Sequence, residues 1–394
     1  MNIGTIDMTA VGAPLIFGQS GNELTSLNIT TANVSATSGT NQLVFLGANN
    51  TANYTIGTLT VGTNGVVVIA NGIAAGEQRA INVGSLNGTA AGIVRGANGG
   101  ATAATATLNL TGTSAGSYSG QILDGAAITR VVKSGTATQT LSNNNTYTGG
   151  TVISAGTLVV AANNAIGAAS GAVAISGASQ ATLQINSDFS VGNNITFSNT
   201  NAGSSVSRLV ANGTAYTVGT TGNFTSSFAG GDPDTTAKIL AGTNTQGSTA
   251  TLAMKFSDTS AATNDGMRVS DVFSLNGTAT NTFVLQLNVT GIAADNFIGW
   301  LNGGVWVNAV SGNTGNNASL AQQGYLGSFS AFQSSYGTTL SGYVGAYGVD
   351  TTTGSVWSVL NHNSDFAVVP EPSTWVLLAG GLTFVMVLRR RRHT

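Results

Sequence analysis

Residues 131–167 read VVKSGTATQTLSNNNTYTGGTVISAGTLVVAANNAIG, and their pattern is that of short strands joined at tight corners. Short apolar–polar–apolar runs are separated by Gly, Asn and Thr, with no helical periodicity. Alternation of this kind sends every second side chain to one face of a strand. The Gly149–Gly150 pair supplies a corner, because glycine tolerates positive φ. Tyr147 is expected to cap or pack against the edge of the resulting coil. The stretch also has an echo: SYSGQILDG (117–125) precedes TYTGGTVISAG (146–156), with Tyr118 and Tyr147 twenty-nine residues apart. A unit recurring in this way is expected to stack on its neighbour and bury a continuous core.

The same triplets recur outward from this stretch. Examples are Leu59–Thr60–Val61, Ile81–Asn82–Val83, Leu108–Asn109–Leu110, Val173–Ala174–Ile175, Leu183–Gln184–Ile185, Phe189–Ser190–Val191 and Ile195–Thr196–Phe197. Many strands of three to five residues with permissive corners predict a parallel β-helix, or solenoid, over 1–234. From about residue 235 the runs lengthen, as in TLAMKFS (251–257), TFVLQLNVTG (282–291) and FIGWLNGGVWVNAV (297–310). Gly-rich turns such as Asn302–Gly303–Gly304 point to antiparallel hairpins. Residues 235–369 are therefore expected to form a smaller antiparallel β-domain, capping or sandwich-like. The predicted fold class is all-β, with one hydrophobic helix at the C-terminus.

Composition agrees with an ordered β-protein. Charged residues make up 7 % of the 394, and Gly fills 54 positions. Disordered chains are normally charged and poor in β-branched residues, whereas Val, Ile and Thr recur here throughout. Arg389–Arg392 hold four of the twelve basic residues, which leaves 8 basic against 14 acidic in the body, a formal charge of −6. Such a body offers no basic field to a nucleic acid. Without cysteine there is no disulfide framework, thiolate metal site or cysteine nucleophile. The opening MNIGTIDMTAVGAPLIFGQSG has no basic region followed by an apolar run, so no secretory signal is visible. It reads as mid-solenoid, and a stretch missing before Met1 is the expectation.

The tail, VVPEPSTWVLLAGGLTFVMVLRRRRHT (368–394), differs from everything before it. Pro370–Glu371–Pro372 cannot continue a strand interior or a helix and are expected to form an exposed extended break. Ser373 or Thr374 can then cap a helix. Trp375–Leu388 is free of charge; its fourteen residues would reach about 21 Å as a helix, short of a ~30 Å hydrocarbon core. By length alone a buried core helix remains open. The four arginines favour a transmembrane helix over 373–388, since they act as a cytoplasmic stop while their stems snorkel.

Two segments resemble known families. The 131–167 stretch is similar to the autotransporter-associated β-strand repeat, a rung of passenger-type β-helices. The matching positions are Lys133, Gly135, Leu141, Asn145, Thr146, Tyr147, Thr148, Gly149, Gly150, Thr151, Gly156, Thr157 and Leu158. TATQTLSNNN replaces the repeat's second glycine and its Ser-Gly pair. The tail resembles the PEP-CTERM sorting signal through Pro370, Glu371, Pro372, Trp375, Gly380, Gly381 and Arg389, Arg390, Arg391, Arg392. That resemblance implies export and recognition at the inner membrane by an exosortase, a membrane cysteine transpeptidase-like enzyme. Release or re-attachment at the cell surface would follow, in bacteria that make exopolysaccharide.

Catalytic chemistry is sparse. His362 has Ser364 and Asp365 beside it in NHNSDF, but triad members meet in space rather than in sequence. His393 lies in the tail. Asp232–Pro233–Asp234 reads as a turn, because a Ca²⁺ site needs more oxygen ligands. Asp258, Asp265 and Asp271, with Arg268, are the carboxylates that a glycosidase or lyase would have to gather around one groove. Lys133, close to Arg130, belongs to the repeat pattern itself. The aromatics Trp300, Trp306, Tyr325, Tyr336, Tyr343, Tyr347 and Trp357 read as core packing, with sugar stacking as the alternative. The expectation is a structural or adhesive surface or matrix protein that is not an enzyme and uses no cofactor or metal. Two rivals stand beside it: a polysaccharide-active enzyme on the same scaffold, and a permanently membrane-anchored protein.

Overall fold

The alternation seen in the sequence becomes columns of stacked side chains. The structure, a computed structural model, describes residues 1–10, 12–18, 24–46, 53–99, 104–176, 180–186, 193, 195–197, 207–212, 224–226, 233–242, 251–257, 260–276, 282–337 and 339–371. Along one wall the strands Asn2–Met8, Ser26–Val34, Asn53–Val61, Gln78–Gly88, Thr105–Leu110 and Ile128–Lys133 pair in parallel, in that order. Thr151–Ile153, Val173–Ile175, Ile195–Phe197 and Phe224–Ser226 continue the wall. Its inward residues form straight columns, such as Leu27, Tyr54, Ile81, Leu108 and Val131, all fully buried. A second wall stacks Gly116–Tyr118, Thr138–Leu141, Gly156–Val160, Ala181–Asn186 and Ser207–Asn212. A third stacks Pro14–Phe17, Asn41–Leu46, Gly65–Asn71, Ile93–Arg95 and Gln121–Leu123. The result is a parallel β-solenoid.

The early strands are longer than the triplets suggested. Leu59–Thr60–Val61 ends a nine-residue strand, and Ile81–Asn82–Val83 lies within an eleven-residue one. These strands turn the corner between the first and second walls without breaking, and the residue at the corner is glycine. A Cβ placed on Gly84 would run into the carbonyl oxygen of Gly57. Likewise Gly112 abuts Gly84, Gly135 abuts Gly112, and Gly156 abuts Gly135. Each coil rests its backbone on the space where the next coil lacks a side chain.

Pairing changes direction at the end of the solenoid. Ser207–Asn212 pairs antiparallel with Thr251–Ser257, and Phe224–Ser226 with Thr236–Gly242. From the first of these, one sheet runs through Val272–Asn276, Ser364–Pro370, Asn296–Asn302 and Val305–Asn308. From the second, another runs through Phe283–Asn288, Ser355–Leu360 and Tyr347–Asp350. The first and second walls thus continue as antiparallel sheets, and the main hydrophobic core extends from Ile6 to Val368. The Asn302–Val305 hairpin turns through Gly303 at φ 58° and Gly304 at φ 83°, the positive-φ pair that suits a right-twisted ribbon.

One short α-helix, Phe329–Tyr336, lies within the antiparallel part. Ser328 Oγ accepts from Ala331 N, Gly337 closes the helix at φ 99°, and Phe329 and Phe332 are its buried residues. Two anchors in eight residues are too few for a periodic signal. The predicted helix 373–388 and the triplet at 189–191 lie outside the described residues. Among the described residues, no helix is long and apolar enough to cross a membrane.

Candidate functional site

The repeat segment forms the corner-and-wall unit in the middle of the solenoid. Leu141 and Leu158 are fully buried in the second wall. Gly150 (φ 80°) and Gly156 (φ 65°) make the corners, and Gly149 N donates to Thr129 O of the preceding coil at 2.9 Å. Asn145, 1 % exposed, links three coils: its Oδ1 accepts from Ile122 N at 2.7 Å, while Nδ2 donates to Ala165 O at 2.5 Å. Such buried backbone groups would otherwise be unpaired, at a cost of about 1–3 kcal/mol each.

Tyr147 lies in the core, fully buried, rather than at the coil edge as expected. Its hydroxyl meets Thr151 Oγ1 at 2.6 Å, and Thr151 Oγ1 donates to Ile166 O at 3.1 Å. This local pairing lets the polar end of the ring go inside. Burial holds the phenols of Tyr147 and Tyr118 well above the usual tyrosine range. Thr148 stays outside and is held by Asp124, whose carboxylate accepts from Thr148 Oγ1 at 2.7 Å and from Thr129 N at 2.7 Å. Asp124 escaped sequence reading; its position in the first copy, SYSGQILDG, was the available signal.

Lys133 occupies a column otherwise made of apolar side chains. Ile29, Ile56, Val83 and Leu110 precede it in register, and Ile153, Ile175 and Phe197 follow. The residue is 2 % exposed, and its ammonium donates to Gly135 O and to Ala155 O, the latter at 3.3 Å. The stem fills the core while the head satisfies carbonyls at the glycine corner. Desolvation pulls its pKa down to about 8. Between that value and the ordinary ~10.4 of an unfolded chain, the unfolded state binds more protons, so stability rises with pH over this window. The midpoint of urea unfolding is expected to climb between pH 7.5 and 9.5, and Lys133→Met to flatten that rise. The buried tyrosines act with the opposite sign, and only above about pH 10.

Among the described residues, the charged candidates Asp265, Arg268 and Asp271 are engaged within the fold. Asp265 and Arg268 form an ion pair, with Nε to Oδ1 at 2.7 Å. Partial burial works against ionisation of Asp265, but hydrogen bonds from Arg268, Ser260 and Trp306 win and hold its carboxyl well below the usual range. Asp271 is fully buried, accepting from Ser226 Oγ, and Arg268 is 7 % exposed. Asp258 and Asp232 lie outside the described residues; Pro233 and Asp234 are exposed. His362 turns Nε2 to Ala309 O at 2.8 Å and Nδ1 to Asn363 O at 3.3 Å, so neither nitrogen addresses Ser364 or Asp365. Asp365 lies in register with Ser274 across the strand. Trp306, Tyr343 and Trp357 are buried, Trp300, Tyr325 and Tyr347 are half-buried, and Tyr336 is 40 % exposed.

Of the tail residues, Pro370 and Glu371 are described; Pro372, Trp375, Gly380, Gly381 and Arg389–Arg392 lie outside the described residues. Pro370 is the last residue of the strand Ser364–Pro370, opposite Asn296, rather than part of an exposed break. At a strand end its missing N–H costs no ladder bond. Glu371, exposed, donates its N–H to Asp295 O at 2.9 Å.

Comparison with known families identifies two segments. Residues 131–160 match the family described as Passenger-associated-transport-repeat, and residues 368–392 match the PEP-CTERM protein-sorting motif. No curated protein and no solved structure matches the chain. The sorting motif indicates an exported protein directed to an exosortase at the membrane. The chain therefore carries a passenger-type repeat in its solenoid wall and a PEP-CTERM sorting motif that begins within its last core strand.

Proposed function

We propose that the protein is a structural or adhesive component of the cell surface or extracellular matrix, without enzymatic activity. The sorting-motif match over 368–392 carries this reading. On it, residues 373–388 form a transmembrane helix that holds the exported body at the inner membrane until the exosortase acts. The outer surface supports a scaffold role. Asparagines stack along the first wall, with Asn28 bonded to Asn2 at 3.0 Å, Asn82 to Asn53 at 2.8 Å and Asn109 to Asn82 at 3.0 Å. Such uncharged amide rows suit a neutral, hydroxyl-rich partner such as exopolysaccharide. The engagement of His362 and Asp265 within the fold favours the non-enzymatic reading.

The test is Arg389–Arg392→Ala in the chain led by a secretory signal, in a host that carries an exosortase. The unaltered protein is expected outside the inner membrane, shortened at its C-terminus, and the variant is expected to stay full-length in the membrane fraction. If the unaltered chain itself remains full-length in the membrane, it is a permanently anchored protein and the sorting reading fails.

A further inference from the structure

The strand Ser364–Pro370 is interior to its sheet. On one side Phe366 faces Phe273 and Asp365 faces Ser274; on the other, Val368 faces Ile298 and Val369 faces Phe297. Phe366, Ala367 and Val368 are fully buried and Val369 is 2 % exposed. The backbone is committed along the whole run: Val269 N donates to Val368 O at 3.0 Å, and Val368 N donates to Ser270 Oγ at 2.7 Å. The last of these bonds is Glu371 N to Asp295 O, and the Glu371 side chain already stands in solvent.

We propose that the bond broken when the tail is removed lies C-terminal to Glu371, so that Pro370 and Glu371 remain with the mature body. This rests on the sorting reading above. An enzyme that cuts a peptide needs it exposed and extended, with its backbone groups free to pair in the active site. Residues 364–370 offer neither. A cut among them would also remove the strand joining Val272–Asn276 to Asn296–Asn302, leaving two bare edges over an apolar core. The acyl carbon of the cut bond passes to water on release, or to an amine on re-attachment. The nitrogen of that bond takes up a proton and leaves as the new N-terminus of the tail. Three residues lie between Glu371 and Trp375, and the four steps along the chain reach at most about 14 Å. The enzyme therefore works against the end of the body formed by Asp295, Asn296 and Glu371.

The measurement uses the full chain led by a secretory signal and expressed in a host with an exosortase. Mature protein is digested with an endoproteinase that cuts before aspartate, and its C-terminal peptide is identified by mass. The expected peptide begins at Asp365 and ends at Glu371 or later. A mature chain ending at Pro370 or any earlier residue overturns the proposal while leaving sorting intact. Recovery of full-length chain alone overturns the sorting reading, and the proposal with it.

Discussion

Gly112→Val is expected to destabilise the chain by about 3 kcal/mol or more, the upper end of what overpacking costs, whereas Gly4→Val should leave stability nearly unchanged. Both glycines lie in or beside the first wall, and neither has a positive φ. They differ in what sits next to them. A Cβ on Gly112 would overlap the carbonyl of Gly84, a backbone atom that cannot rotate away; a Cβ on Gly4 meets nothing within 4 Å. Accommodating the valine requires the two coils to separate. That would stretch the parallel ladder between Gln78–Gly88 and Thr105–Leu110 and weaken the packing of Val83 on Leu110. The comparison by thermal or urea unfolding separates steric stacking from the loss of glycine's backbone freedom. Equal effects at the two sites would mean that the corner column does not set the coil spacing.

The solenoid was legible because its signal is local. A period of two survives whatever the next coil does, and Leu108–Asn109–Leu110 buries its leucines as the alternation required. The corner column was harder to read. Gly57, Gly84, Gly112, Gly135 and Gly156 are 27, 28, 23 and 21 residues apart, so no constant period marks them. The spacing shortens from the coil that carries the three-residue strands Gly116–Tyr118 and Gln121–Leu123, where shorter strands and connections close each turn. Lys133 was legible as a repeat residue but not as a core one, because charge normally marks an outward position. Only the carbonyls of Gly135 and Ala155, brought together by the fold, make the inward position tolerable. The Pro370 break was misjudged for a related reason: proline forbids a strand interior, yet a strand end asks nothing of its nitrogen.

Phe273→Ala is expected to lower stability by about 3–5 kcal/mol, the usual cost of emptying a large aromatic site, and to split unfolding into two steps. Phe273 stands where the two halves of the core meet. Phe197, from the last coils, packs on Phe256 at 5.5 Å; Phe256 packs on Phe273 at 5.1 Å; and Phe273 faces Phe366 across the strand pair. All four are buried. A solenoid alone behaves as a chain of neighbour contacts, so what makes it unfold together with the antiparallel sheets is this junction. Three tryptophans, Trp300, Trp306 and Trp357, report on the antiparallel part, while far-UV dichroism is dominated by strands of the whole chain. Two probes that coincide in the unaltered protein should separate in the variant, with fluorescence moving first. Phe332→Ala is the control. It empties an equally buried site in the cluster around Phe329, Tyr343 and Trp357, away from the junction, and should cost stability without separating the probes. Coincident transitions in Phe273→Ala would place the coupling elsewhere. The result bears on sorting, because Ser364–Pro370 is held against Val272–Asn276 by the same pair of rings. Once Phe273 is gone, the strand that leads into the tail should loosen at lower denaturant than the coils, leaving the tail on a body whose end no longer holds it.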